Sequence, residues 1–598
     1  MSLLSRKDID FWFYDMFDVE QLLSHPRYAD HNRETFTATL DTAQEIAEKY
    51  FLPHNHLADE HEPTFDGEKV ETLPEVKEAF RHYVDSGLLT ACLDYEEGGM
   101  QLPQTIAAAC TGYMLCANPS TSAYPLLTKS AANVIRSFAS EELKHKFLPL
   151  MASGVAAGTM ALTEPDTGSS LADIKTHATP TDQGHYLIKG NKMFISGGDQ
   201  DITENIVHLV LAKIKGAPAG VKGISLFVVP KWLVDDAGKP TKRNDVMLAG
   251  LLHKMGYRGT TSTVLNFGEN DDCVGYLIGE PHQGLKYMFL MMNEARTGVG
   301  LGAAALGYRG YVASLAYAKE RPQGRHPGNK DPESKPLNII EHADVKRMLL
   351  AQKAYTEGAL ALCFYSSRVI DAIEICADAQ EKVVLNELLD LITPIVKSWP
   401  SEFGPKANYE AIQILGGAGY IREYPVEQCY RDNRLNPIHE GTHGIQALDL
   451  LGRKVWQNKS VGLQRLNQLI SQTIADARAF SHLSEFCDAL TQAQVTLAET
   501  TKNLGGQLHQ DGPNSALANA SAYLSLFGHV VVAWIWLWQA QAASKKLAEG
   551  DAASKVYYQG KLHACQFFYR WELPQIQHWS NLLTSADDTT RTMEIEAF

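Results

Sequence analysis

The chain has 598 residues, 45% of them hydrophobic and 21% charged, which is an ordinary soluble balance on a length too great for a single core. Its formal charge of −16 argues against a general nucleic-acid surface, which needs clustered Lys and Arg. Nine cysteines form no C-x-x-C pair, and their odd number suits free buried thiols in a reducing cytoplasm.

Residues 1–36 are rich in Phe and Tyr and read as an ordered N-terminal arm packing on the appended C-terminal domain, with a partly disordered terminus as the alternative. Asp8, Asp10, Asp15 and Asp18 interrupt any apolar run after Arg6-Lys7, so no export signal is expected and the expected location is the cytoplasm. From 37 to 157 the apolar residues recur with helical spacing, as in 42–51 and the Ala-rich run after Thr105, and predict an α-helical domain. From 158 to 282 the texture changes to short β-rich runs, Ile206–Ala212 and Ile224–Pro230 among them, punctuated by Gly and Asp: a middle β-domain. Helical periodicity returns over 283–456, broken by a polar Pro/Gly-rich loop from Arg321 to Pro336, and suits a helical bundle. Residues 457–598 are Gln-, Ala- and Leu-rich and predict an appended helical domain. Its most apolar stretch, Val530–Trp538 with three Trp, is too short to span a bilayer. It reads as a buried helix, and peripheral membrane contact is not expected.

The segment Asn436-Pro437-Ile438-His439-Glu440-Gly441-Thr442-His443 places one carboxylate on a Gly-containing turn at the start of an apolar helical run. Read literally, His439 to His443 is H-E-x-x-H, a pattern in which two His on one helix face bind zinc and the Glu activates water. Pro437 and Gly441 suit a loop entering a helix better than a helix interior, and the longer zinc-protease spacing is missing, so no metal is expected.

The run QILGGAGYIREYPVEQCYRDNRLNPIHEGTHGIQ from Gln413 closely resembles the C-terminal signature of the acyl-CoA dehydrogenases. Four more stretches match that family in order: ALTEPDTGSSLADIKT from Ala161, GNKMFISGG from Gly190, NEARTGVGLGAAALG from Asn293 and ERPQGR from Glu320. The resemblance covers about residues 40–455. Beyond it, the chain is similar to an extended subgroup with extra C-terminal helices, like long-chain fatty acyl-CoA and 3-methylthiopropanoyl-CoA dehydrogenases. The fold it implies is mainly α with a central β-domain: an α-helical domain, a β-barrel-like domain and a four-helix bundle, plus the appended helical domain. The extra helices would cover the surface through which shorter members pair dimers into tetramers, which implies a homodimer.

The implied reaction is FAD-dependent α,β-dehydrogenation of an acyl-CoA to the trans-2-enoyl-CoA, the first step of fatty acid β-oxidation. Medium- or long-chain substrates are expected, 3-methylthiopropanoyl-CoA is an alternative, and electrons would pass to an electron-transfer flavoprotein. Such chemistry needs a carboxylate base and preorganised donors on the thioester oxygen, in a site that excludes water. The resemblance implies Glu440 as that base, its own N–H and a flavin hydroxyl as donors, and Gly441 as the residue that lets the turn approach. It further implies Leu162 and Thr163 at the flavin edge, Phe194 against the ring and Ser196 near N5. Phe194 and Ser196 stand where many relatives carry Trp and Thr, which keeps an aromatic face and a hydroxyl.

Gly168 and Ser169 match residues touching the CoA arm, although Ser170 replaces the usual Asp. Arg296 falls on the CoA side, with a bundle ion pair as its structural alternative. Arg321 and Gln323 match an element reaching FAD of a neighbouring subunit, although the usual Phe before the Gly is missing. Gln413, Gly416 and Gly417 match the loop near the adenosine half of FAD, and Thr442 matches another FAD contact. Gly444 replaces a Gln that often contacts FAD, so that contact is expected to be lost. The competing readings are a zinc hydrolase using His439, Glu440 and His443, and a non-catalytic DNA-associated relative, whose basic C-terminal surface is absent here.

Overall fold

A computed structural model describes residues 3–550 and 553–598. The chain divides into two compact units, one of residues 34–298 and one of residues 1–33 with 299–598.

In the unit of residues 34–298, helices including α1 (Pro119–Phe138) and Glu141–Ala152 precede a mostly antiparallel sheet. Its strands are β1 (Ala156–Ala161), β2 (His177–Pro180), β3 (Tyr186–Ser196), β4 (Asn205–Ile214), β5 (Ile224–Pro230), β6 (Val246–Leu251), β7 (Ser262–Phe267) and β8 (Val274–Leu277). Their order is β6-β7-β3-β8-β5-β4-β1, and β2 pairs with both β3 and β4, so β3-β8-β5-β4-β2 closes into a ring. β4 shows why the ring forms. Side chains alternate between the faces of a strand, and both faces here are apolar. Val207, Leu209 and Leu211 join the core shared with Val134, Phe147 and Met151, while Val210 and Ala212 join Ile188, Phe227 and Phe267 inside the ring.

In the other unit, α2 (Gly284–Glu320) continues from Val299 into a bundle with α3 (Ala343–Ile375) and α4 (Ala379–Leu415). α5 (Val426–Asn433) and α6 (His443–Asp449) follow, separated by the turn that carries Glu440. Gly300 lets α2 and α4 pack backbone to backbone, since a Cβ there would lie 2.0 Å from the Val396 carbonyl oxygen. The appended helices α7 (Val461–Ala477), α8 (Ser484–Gln510), α9 (Ala520–Glu549) and α10 (Lys555–Phe567) then pack around α9.

Among the described residues α9 is the one helix long and apolar enough to cross a membrane, and 83% of its apolar window is buried in protein. Its Trp534 donates to Thr473 Oγ1 at 2.8 Å and Trp536 to the Ala354 carbonyl at 3.0 Å, so their indole N–H groups are satisfied internally. The N-terminal arm is ordered. Trp12 is buried and donates to Gln539 Oε1 of α9 at 2.8 Å. Asp8 accepts from Lys561 at 2.8 Å, Tyr557 at 2.6 Å and Tyr308 at 2.9 Å, and Lys561 also meets Glu357 at 2.9 Å. Burial pushes the Asp8 carboxyl up, but Lys561 and Lys353 outweigh it and hold the group well below the usual carboxylate range.

Candidate active site

The expected residues divide between the two units. In the unit of residues 34–298, β1 runs into half-buried Leu162 and Thr163, then into Glu164, which is 5% exposed. Glu164 accepts from the Lys175 N–H at 2.6 Å, the Thr176 N–H at 3.0 Å, Thr176 Oγ1 at 2.6 Å and Lys192 Nζ at 2.9 Å. Lys192, wholly buried on β3, also donates to the Leu162 carbonyl at 2.9 Å. Burial pulls the Lys192 ammonium down to about 8 against the pull of Glu164, and burial pushes Glu164 up less than Lys192 and its backbone donors pull it down. This pair fixes the backbone at Leu162-Thr163.

Phe194 follows on the same strand. Between Lys192↔Leu265 and Ile195↔Thr263 the β3–β7 register shifts, so Met193 and Phe194 oppose a single residue in a β-bulge. The bulge puts Phe194 in left-handed backbone, φ +59°, and leaves the residue 61% exposed, while the Met193 N–H donates to the Thr163 carbonyl at 3.0 Å. Ser196 closes the strand, half-buried and opposite Ser262. An exposed aromatic face on strained backbone, tied to a polar loop and followed by a hydroxyl, fits a flat ring with hydrogen-bonding edges such as isoalloxazine.

Gly168 and Ser169 are exposed, and a Cβ at Gly168 would meet nothing within 4 Å. Ser170 donates to Asp173 Oδ2 at 2.8 Å, so a serine–aspartate bond holds this turn. Arg296 is 4% exposed on α2 and donates to Asn293 Oδ1 at 3.3 Å.

In the other unit, the loop after α2 exposes Arg321 and Gln323, and its backbone is pinned by the Gln323 N–H to the Leu337 carbonyl at 2.8 Å. α4 ends at Gln413 to Gly417. Gly416 takes φ +60°, and a Cβ at Gly416 or Gly417 would meet nothing within 4 Å, which leaves an open backbone surface.

Glu440 has φ +55° and Gly441 φ +88°, two consecutive left-handed residues before α6. Only glycine takes this backbone without strain, so the Glu is held there by its surroundings. The His443 N–H closes the turn on the Pro437 carbonyl at 3.0 Å, and Gln446 Nε2 donates to the Glu440 carbonyl at 3.1 Å. Thr442 is the α6 N-cap, accepting from the Ile445 N–H at 3.4 Å. His439 lies outside the helix and His443 is its first residue, so the two imidazoles do not share the helix face that a zinc pair requires. His439 Nε2 lies 3.1 Å from Asn436 Oδ1, and burial pulls this ring down to about 3 with a contribution from Lys397.

The sequence reading missed Glu164, Lys192, Lys397, Asn436 and Gln446. Glu164, Lys192, Asn436 and Gln446 stand inside the family-like motifs, and a polar residue within such a motif was the available signal. Lys397 had none, because a lysine reads as surface until the fold buries it.

Four family models cover almost the whole chain: acyl-CoA dehydrogenase N-terminal domain over 33–155, middle domain over 159–269 and C-terminal domain over 282–455, and the acetyl-CoA dehydrogenase C-terminal-like model over 466–594. The chain belongs to the acyl-CoA dehydrogenase family of oxidoreductases. It is 34% identical to the 3-methylmercaptopropionyl-CoA dehydrogenase of Ruegeria pomeroyi, over 97% of this chain and 98% of that one. A butyryl-CoA dehydrogenase of Syntrophomonas wolfei is also 34% identical, over 100% and 99% of the two chains. The broad-specificity linear acyl-CoA dehydrogenase FadE5 of Mycobacterium tuberculosis is 32% identical over 99% of each. Among solved structures, Caenorhabditis elegans ACDH-11 in complex with C11-CoA shares the fold with a TM-score of 0.79 at 18% identity, covering 99% of this chain and 96% of that one. An acyl-CoA dehydrogenase of Bacillus anthracis complexed with FAD gives 0.74 at 21% identity, covering 94% and 90%.

Proposed function

We propose that this chain oxidises a linear acyl-CoA between its α and β carbons to the trans-2-enoyl-CoA, with FAD as cofactor and an electron-transfer flavoprotein as acceptor. The observation that carries the reading is the Glu440 turn, a carboxylate kept in left-handed backbone at a helix start within the stretch matched to the family's C-terminal domain. Glu440 takes the α-proton, and its backbone N–H supports the thioester oxygen as negative charge develops there. FAD, when bound, accepts the β-hydride.

Leu162, Thr163, Phe194 and Ser196 hold the flavin ring, with Lys192 and Glu164 keeping the first two in place. Arg321, Gln323, Gln413, Gly416, Gly417 and Thr442 serve the rest of FAD, and Gly168, Ser169, Arg296 and Gly441 serve the substrate. The names of the full-length relatives support a linear substrate, short-chain or 3-methylthiopropanoyl-CoA included. A cytoplasmic homodimer completes the proposal, supported by nine free cysteines and by the exposed Tyr420 and Ile421 after the Gly416-Gly417 loop.

The test is anaerobic titration of the purified flavoprotein with straight-chain acyl-CoAs from butyryl to lauroyl and with 3-methylthiopropanoyl-CoA, following loss of flavin absorbance. Bleaching is expected, and Glu440→Gln should keep the colour but not bleach. A wild-type protein that none of these thioesters bleaches, or a Glu440→Gln variant that bleaches at the wild-type rate, refutes the reading.

A further inference from the structure

Beneath the Glu440 turn lies a chain of buried amides. Asn408 of α4 donates to the Leu306 carbonyl at 2.9 Å and accepts from Asn433 at 2.8 Å. Asn433 also donates to the Ala303 carbonyl at 3.0 Å and accepts from Asn436 at 2.9 Å. All three asparagines are wholly buried. Because the Asn436 amide nitrogen is committed to Asn433, its oxygen takes the His439 contact as an acceptor, which places the imidazole proton on Nε2. Lys397, wholly buried on α4, donates from Nζ to the Asn436 backbone carbonyl at 2.8 Å. The turn is thus bolted to α2 and α4 from one end.

The other end is held by Gln446 on α6. Its Nε2 donates to the Glu440 carbonyl at 3.1 Å and lies 3.5 Å from the Gly441 carbonyl. The amide orientation is forced, since exchanging O and N would set three oxygens against one another. Its Oε1 is then buried without a hydrogen-bond partner among the described residues, a cost that a side chain chosen for stability alone would avoid.

We infer that Lys397 and Gln446 are positioning residues for the base, gripping the Glu440 turn from either side through the Asn436 and Glu440 carbonyls. This rests on the proposed role of Glu440. Neither side chain enters the chemistry. Each keeps a non-glycine residue in left-handed backbone, and so keeps the carboxylate aimed, at a geometry where a displacement of about 1 Å costs on the order of 100-fold in rate.

The experiment uses the full-length flavoprotein and the near-isosteric variants Gln446→Met and Lys397→Met, with Lys397→Arg as the donor-retaining control. Rapid mixing with the best bleaching acyl-CoA, unlabelled and deuterated at the α carbon, reads the rate of flavin reduction. Expected are reduction rates about 10- to 100-fold lower in both Met variants, KM close to wild type, full flavin content, a larger α-deuterium isotope effect and partial recovery in Lys397→Arg. Wild-type rates, or losses that simply track lost flavin or a changed KM with no change in isotope effect, overturn the inference. If Lys397→Met does not fold, Gln446→Met decides. A wild-type protein that no acyl-CoA bleaches refutes the proposed reaction instead, whereas a bleaching wild type with silent Glu440→Gln and fully active Met variants refutes only the positioning roles.

Discussion

Among the eleven described non-glycine residues in left-handed backbone, Phe194 at φ +59° and Glu440 at φ +55° are the two proposed to meet the reaction partners. A left-handed non-glycine costs about 1–2 kcal/mol, so each must be held by tertiary contacts. Phe194 is held by the bulge in β3 and leaves its ring exposed. Replacing it by Ala should therefore change stability by less than about 0.5 kcal/mol, where a core Phe would cost about 3–5. The expected loss is in flavin retention, read as the flavin-to-protein ratio after gel filtration, and a large drop in melting temperature with flavin retained would contradict the assignment. Gly441 is constrained differently, since at φ +88° an added Cβ would also lie 2.5 Å from Gln446 Nε2. Gly441→Ala should break the Gln446 contact and slow flavin reduction by about 10-fold or more, which stopped-flow absorbance checks. The Gly-containing turn was legible in the sequence, but the sign of φ at Glu440 was not. That angle is imposed by Gln446 and by the bolted segment before it, and neither is a local property of the residue.

At the level of elements, the arm of residues 3–33 is a latch with a charged centre. Asp8 and Glu357 share Lys561, and Lys353 also pairs with Glu357, all four inside the same unit. Removing one member of a buried pair leaves a desolvated charge, typically worth about 3–5 kcal/mol. Lys561→Met should lower stability by about that much and expose the arm to tryptic cleavage after Lys7 and Arg27. Urea denaturation with limited trypsin digestion tests this, and an unchanged midpoint with an uncut arm would show that the aromatic contacts of Trp12 and Phe13 suffice. Helices were readable from their 3.6-residue period, and β4 from an apolar run broken by a single His208. The bulge in β3 was not readable, because it depends on how Val264 of β7 meets Met193 and Phe194. The same holds for the buried Lys192–Glu164 pair, whose members come from different segments and meet where the loop after β1 crosses β3, tied there by the Met193 N–H to Thr163 carbonyl bond.

For the molecule as a whole, acid is the condition the fold should tolerate least. Burial pulls His208 in one unit and His529 in the other down to about 3, and the unfolded rings titrate near 6.5. Between those values the unfolded chain binds more protons than the native one. The stability is therefore complete above about pH 6.5 and falls as pH drops, by about 1.4 kcal/mol per pH unit for each ring. Denaturation midpoints at pH 7.5, 6.0 and 5.0 should decline, and His529→Asn should flatten the decline for its own unit. Equal midpoints across that range would show that the rings accept protons in the folded state. What the sequence determined by itself was the kind of chemistry: five ordered motifs, a carboxylate on a glycine turn and the alternation of helical and strand periodicity are local patterns, and local patterns survive in a linear string. What only the tertiary structure decided was how those residues are held. The Lys397, Asn436 and Gln446 bonds, the Lys192 support under Leu162 and the exposed ring of Phe194 depend on groups distant in the chain becoming neighbours in a dry interior, where a polar group must find its partner or stay unpaired.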